Sequence, residues 1–159
     1  MGRPKKRPSR AVDPDRSKKP RVERGPPAHR SPRSLDPVQH LESLRPLWRT
    51  GAIDLDGRWG WRVVEAEVIL QDVVTRLHDY ETMPWTQFRG KLNHDVELPS
   101  LCANARRRLR EIGKDDLDSL FSIRIDGKRR VWAVRSANIL HLLWWDPEHE
   151  VCPSHQRHT

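Results

Sequence analysis

The sequence predicts an α+β domain with helices first and an antiparallel β-meander last. Apolar residues recur every three or four positions over residues 37–112, then alternate in three short segments over 119–146 that are joined by tight turns. Composition bounds the size: 159 residues, 33% charged and 35% hydrophobic, supply one small core rather than the several of a multidomain enzyme.

Charge is unevenly placed. Residues 1–36 hold 12 of the 30 Lys and Arg against four of the 22 Asp and Glu, so residues 37–159 carry 18 of each sign and the formal net charge of +8 belongs to the first segment. That segment has seven of the 13 prolines and no aromatic residue. Its apolar surface is too small to offset ordering entropy, and it reads as a disordered tail. The runs "GRPKKRPSR" and "RSKKPRVER" make it either a salt-sensitive arm on nucleic-acid phosphates or a solubilising extension. The balanced remainder, a domain over 37–153 followed by a flexible 154–159, excludes a uniformly basic nucleic-acid-binding fold. No run approaches the roughly 18 apolar residues of a membrane span. No secretory apolar region is present either, so a cytoplasmic location without a membrane partner is expected. Cys102 and Cys152 lack any CxxC spacing and are expected to be reduced.

In "DPVQHLESLRPLW", Val38, Leu41, Leu44 and Trp48 share one helical face, with Asp36 as cap and Pro37 at the first position. "GAIDLDGRWGWRVV" is punctuated by Gly and Asp and reads as a turn with a short strand or an irregular connection. Val64, Val68, Ile69, Val73, Leu77 and Tyr80 form the stripe of a second helix. "ETMPWTQFRG" gives one helical turn and "KLNHDVELP" a connection. A third helix starts near Ser100 with Leu101, Cys102, Ala105, Leu109 and Ile112 on its apolar face, and Gly113 stops it.

The meander reads "LFSIRI", "RRVWAV" and "NILHLLWW", joined by "DGK" and "SA". A three-residue loop at Asp126, Gly127 and Lys128 pairs Ile123 with Val131, Phe121 with Ala133, Arg124 with Arg130 and Ser122 with Trp132, leaving one face apolar and one polar. A two-residue Asp-Gly turn would set Arg130 among core residues, so the binary pattern selects the longer loop. With Ser136 and Ala137 as the second turn, His141 falls beside Trp132. The polar face then collects Ser122, Arg124, Arg130, Trp132 and His141, a platform on which arginines grip phosphate and the indole stacks on bases. Its competitor is a solvated face on which arginine stems cover the indole.

Other constellations are weaker. His149, Cys152, His155 and His158 recur every third residue, which matches no standard zinc spacing, and no metal or other cofactor is assigned. His78 and His94 stand alone, with no catalytic partner near them in sequence. Phosphate loops, serine-nucleophile elbows, HExxH and EF-hand spacings do not occur. Trp48, Trp59, Trp61 and Trp85 point to a core or a partner surface.

The order helix, acidic loop, strand, "GKRRVWAV", strand and terminal His resembles the C-terminal core of the RelE/ParE toxin superfamily, in particular its YoeB-like ribonucleases, over roughly residues 105–150. "RRVWAV" is similar to their "HRLVYAV". The ending "WWDPEHEVCPS" is also similar to that of a group of uncharacterised bacterial proteins. The toxin resemblance implies a metal-independent endoribonuclease of a toxin-antitoxin system, acting on RNA at the ribosome and held in check by an antitoxin protein. It implies Arg130 as phosphate ligand, His149 as acid, and Glu111 as base with Asp115, Asp116 or Asp118 as competitors. Arg124, Trp132 and His141 would add RNA contacts. The alternative is a non-catalytic nucleic-acid-binding or interaction module on the same fold.

Overall fold

The computed structural model describes residues 37–153, and the expectations for 1–36 and 154–159 lie outside the described residues. The fold is α+β, built on one five-stranded sheet in the order β1-β5-β4-β3-β2. Helix α1 (Pro37–Ser43) is shorter than its apolar spacing predicts. Pro46 is the reason: a proline ring disfavours helical backbone at the residue before it, so Leu47–Arg49 becomes β1 and Trp48 leaves the helix. β1 pairs parallel to β5 (Ile139–Asp146), with Leu47 opposite Ile139 and Arg49 opposite His141. Asn138 fixes this edge, its side-chain amide donating to the Arg45 carbonyl at 2.7 Å and its carbonyl accepting from the Leu47 N–H at 3.0 Å.

Beyond β1 the segment over residues 50–65 is irregular apart from a 3₁₀ turn at Trp61–Val63. It closes the remaining edge of β5. The Leu143 carbonyl accepts the Asp54 N–H at 3.0 Å and the Trp61 indole N–H at 3.1 Å, and the Trp59 carbonyl accepts the Trp145 N–H at 3.0 Å. The expected second helix is a π-helical stretch, Val68–Val74, running into α2, Thr75–Glu81. Its inward stripe is as read: Val73, Leu77 and Tyr80 are buried, with Val64, Val68 and Ile69 packed on the same core. The short α3 (Trp85–Phe88) follows. "KLNHDVELP" contains a strand, β2 (His94–Glu97), which pairs with β3 (Ser119–Arg124), and α4 (Ala103–Glu111) lies between them in sequence.

The first hairpin has the predicted register. β4 (Arg130–Ser136) sets Ile123 opposite Val131 and Arg124 opposite Arg130 around the loop Asp126–Lys128. The second turn is one residue later than expected, at Ala137 and Asn138, with Ala137 at φ 55°. That shift moves pairing by two positions and keeps the faces, so His141 faces Val134 rather than lying beside Trp132; a β-bulge beside Trp132 and Ala133 then changes the phase, setting Trp144 opposite Trp132 and Trp145 opposite Val131.

Both sheet faces are covered. Phe121, Ile123, Val131, Ala133, Leu140, Leu142 and Trp145 pack under α2 and α3, while Leu120, Trp132, Leu143 and Trp144 pack against Leu101, Ala105 and Leu109 of the α4 layer. The expectation of one open polar face is therefore corrected at Trp132, which is 1% exposed and part of the second core. Alternation identified the two faces, but α4 supplies enough apolar surface to cover the face that carries Trp132. Among the described residues, no helix is long and apolar enough to cross a membrane.

Candidate functional site

A cleft of about 250 Å³ opens where α4 leaves this second face uncovered, between the start of β2 and the turn after β5. Its lining includes Lys91, Leu92, His94, Ser122, Arg130, His149 and Cys152. No carboxylate lines it, so the charge it presents is cationic.

The meander places the arginines. Directly opposed like charges on adjacent strands are destabilising. Arg124 and Arg130 are nevertheless direct partners, and among the described residues neither makes an ion pair. Arg130 is held by its Nη1 alone, which donates to the carbonyls of Asp126 and Gly127 at 3.1 Å and of Arg129 at 3.0 Å. Its Nε and Nη2 make no hydrogen bond among the described residues, which leaves an oriented donor edge. Burial and the facing Arg124 push the Arg130 guanidinium down from its ordinary value, against the smaller opposing pull of Asp146, its cross-strand partner on β5. Arg129, next to it, is different: it is spent on Asp72 and Asp126.

Asp146 places the histidine. It is fully buried at the end of β5, where its Oδ2 accepts from the Trp132 indole at 3.1 Å and from the Val151 N–H at 3.0 Å, and its Oδ1 from the Glu150 N–H at 2.9 Å. This carboxylate cap folds the chain after Pro147 back onto the sheet. It leaves His149 in the left-handed region at φ 59°, a conformation with a backbone cost for a non-glycine residue that the surrounding turn sustains. Burial, then the Arg130 charge, push the His149 imidazole below the usual 6.5.

His94 is the residue that linear reading missed. It starts β2 opposite Ser122, and its charge acts on His149 across the cleft. Nothing in its sequence neighbourhood signals this, because the pairing of β2 with β3 is long-range. Ser122 forms the floor, 3% exposed, with a hydroxyl that makes no hydrogen bond among the described residues.

Two expected site residues, Glu111 and His141, lie elsewhere. Glu111 pairs with Arg108 at 3.0 Å and Arg107 at 3.8 Å and lines a separate concavity with Gly57, Arg58 and Trp59. Its place on α4 puts it on the outer side of the helix, away from the β4 arginine. Its competitors Asp115 and Asp118 line a third depression with Asp95 and Glu97. His141 lines a shallow surface beside Arg49 and Thr50. Trp132 reaches the cleft only as a wall, with its indole N–H committed to Asp146 and its faces inside the core. Arg130 and His149 do converge, with Arg124 beside them. Among the described residues, no group of three or more His, Cys, Asp or Glu side chains is arranged to hold a metal ion, and His155 and His158 lie outside those residues.

No protein-family model, curated protein or solved structure matches the chain.

Proposed function

We propose that the cleft is the RNA-cleaving site of a toxin-like, metal-independent endoribonuclease. The observation that carries this reading is the convergence of Arg130, which makes no ion pair among the described residues, with His149 and His94 in one concave site. Cleavage by the 2′-hydroxyl needs a base for its proton, a cation on the phosphorane oxygens and an acid for the leaving 5′-oxygen. Arg130, backed by Arg124 and Lys91, takes the phosphate. His149 is the acid, and His94 replaces Glu111 as the base. The 2′-hydroxyl requirement restricts the substrate to RNA. Leu92 and Val96 give the cleft an apolar wall against which a nucleobase packs. A cation-rich cleft of this kind is blocked by an acidic partner, which is the chemistry expected of an antitoxin.

The test is RNA cleavage by the purified full chain in the presence of EDTA, with Arg130→Ala, His149→Ala, His94→Ala and Glu111→Ala compared at matched folding. The wild type is expected to leave 2′,3′-cyclic phosphate ends and to spare DNA. The first three substitutions each lower the rate by roughly 10²-fold or more, and Glu111→Ala has little effect. Displacement of Glu111 from the cleft favours one second reading, a module that binds RNA without cutting it. RNA binding by a folded wild type that leaves the RNA intact would establish that reading instead.

A further inference from the structure

Cys102 and Cys152 come from distant parts of the sequence and meet at one junction. The Cys102 N–H donates to the Val151 carbonyl at 2.8 Å, so the residue that opens α4 lies alongside the chain next to Cys152. The Cys152 thiol reaches back to the Ser100 carbonyl, with sulfur and oxygen 3.4 Å apart. On the other side, the Cys102 sulfur caps α4 by accepting the Ala105 N–H at 3.4 Å. Cys102 is thus hydrogen-bonded to the residue directly before Cys152, and its charge is felt at the Cys152 thiol, a proximity compatible with the roughly 4.4–6.8 Å Cα separation that a disulfide spans. Both thiols are partly exposed, and Cys152 lines the cleft that holds His149.

We infer that Cys102 and Cys152 form an intramolecular disulfide on exposure to a peroxide, tying the start of α4 to the segment that carries His149. Burial pushes the Cys152 thiol up and keeps it protonated, so Cys102 attacks first. Its thiolate displaces hydroxide from hydrogen peroxide: the S–O bond forms, the O–O bond breaks, and a sulfenic acid remains. The Cys152 sulfur then attacks Cys102, forming the S–S bond and releasing the sulfenic oxygen as water, which takes up the Cys152 proton. The two thiols lose two electrons and the peroxide gains them. The disulfide does not depend on the cleft cutting RNA.

The experiment treats the reduced full chain with hydrogen peroxide and reads intact mass, followed by non-reducing digestion. A monomer lighter by about 2 Da, a linked peptide containing Cys102 and Cys152, and recovery with dithiothreitol are expected. Cys152→Ser keeps a sulfenic acid at Cys102 that dimedone labels. Formation in urea is at least tenfold slower than in the folded chain. Oxygen adducts without the link, covalent dimers alone, or equal rates in folded and urea-unfolded chain each overturn the inference.

Discussion

Arg108 grips Asp54 with two parallel hydrogen bonds across 54 residues of sequence, its Nε and Nη2 each donating at 2.8 Å to a different carboxylate oxygen. The Trp144 indole adds a third donor at 2.9 Å. α4, the irregular segment after β1 and the centre of β5 therefore meet at one buried carboxylate, and the bidentate fork sets the orientation of α4 on the sheet.

Arg108→Ala leaves that carboxylate buried with its main partner gone and is expected to cost about 3 kcal/mol in urea unfolding. Asp54→Ala with Arg108→Ala together cost less than the sum of the two single changes, because the residues share one interaction.

The same carboxylate sets an acid limit. Burial by itself would push the Asp54 carboxyl up, but the hydrogen bonds from Arg108, Trp144 and the Asp56 amide outweigh burial and hold it below its usual 3.8. A group depressed in the folded state contributes stability that is fully present above its unfolded value and is lost as pH falls through its folded value. Acid unfolding followed by tryptophan fluorescence is expected below about pH 4. In Arg108→Ala the largest hydrogen bond lowering the carboxyl is gone, so less stability is lost as pH falls through the Asp54 titration and the acid dependence from this group flattens.

Gly60 is required by close approach rather than by its φ. A Cβ there would lie 2.5 Å from the Asp56 carbonyl oxygen and 2.6 Å from that of Leu55, both of them backbone atoms that no rotamer change can move. Gly60→Ala is expected to cost more than about 2 kcal/mol, whereas Gly90→Ala, with open space around it, stays within about 0.5 kcal/mol. Equal melting temperatures for the two variants would contradict the tight turn.

Asp146 joins stability to the cleft. Asp146→Ala strips the acceptor from three N–H donors, two of them in the turn that carries His149, and is expected to cost about 3 kcal/mol. Asp146→Asn, which keeps one oxygen, falls between it and the wild type. In both variants the Glu150 and Val151 amides are expected to lose hydrogen-exchange protection at temperatures where the sheet is still folded, because the turn that carries His149 loosens first.

His149 titrates directly by NMR. Its imidazole is expected to lose its proton below pH 6.5, and in Arg130→Gln, where the second cause is removed, the midpoint moves upward while burial keeps it from reaching the exposed value. Under the proposed ribonuclease reading His149 acts as an acid only when protonated, which places the decline in rate on the alkaline side of that same midpoint. A midpoint indifferent to residue 130 would separate the two side chains.

Much of the meander was legible in the sequence, because a one-residue slip in the first hairpin would bury Arg130 among apolar residues. The second turn was not. Ala137 adopts a left-handed conformation with no glycine to announce it; the displaced turn changes the cross-strand partners but keeps the faces of Leu140 to Leu142, and the bulge near Trp132, equally unannounced, switches the faces of Trp144 and Trp145. Arg130 could be placed because the local pattern of the meander fixes its face, and His149 was singled out only by the resemblance to the toxin superfamily. His94 and the displacement of Glu111 depend on β2 pairing with β3 and on the roll of α4, neither of which leaves a periodic trace. The parallel β1 was hidden by apolar spacing that continues past Pro46 as if the helix did.

The pairing of β1 with β5 also sets the order of events during synthesis. The first described strand hydrogen-bonds only to the last, and the Asn138 amide clasps a carbonyl 93 residues upstream, so the sheet cannot be completed while its final strand is still inside the ribosomal tunnel. Loop closure over that separation comes late and slowly. Until then Trp48 and the apolar stripe of α2 lack their sheet partners, and exposed apolar surface of this kind makes an incomplete chain prone to aggregation. The cleft assembles in the same final step, because His149 follows β5.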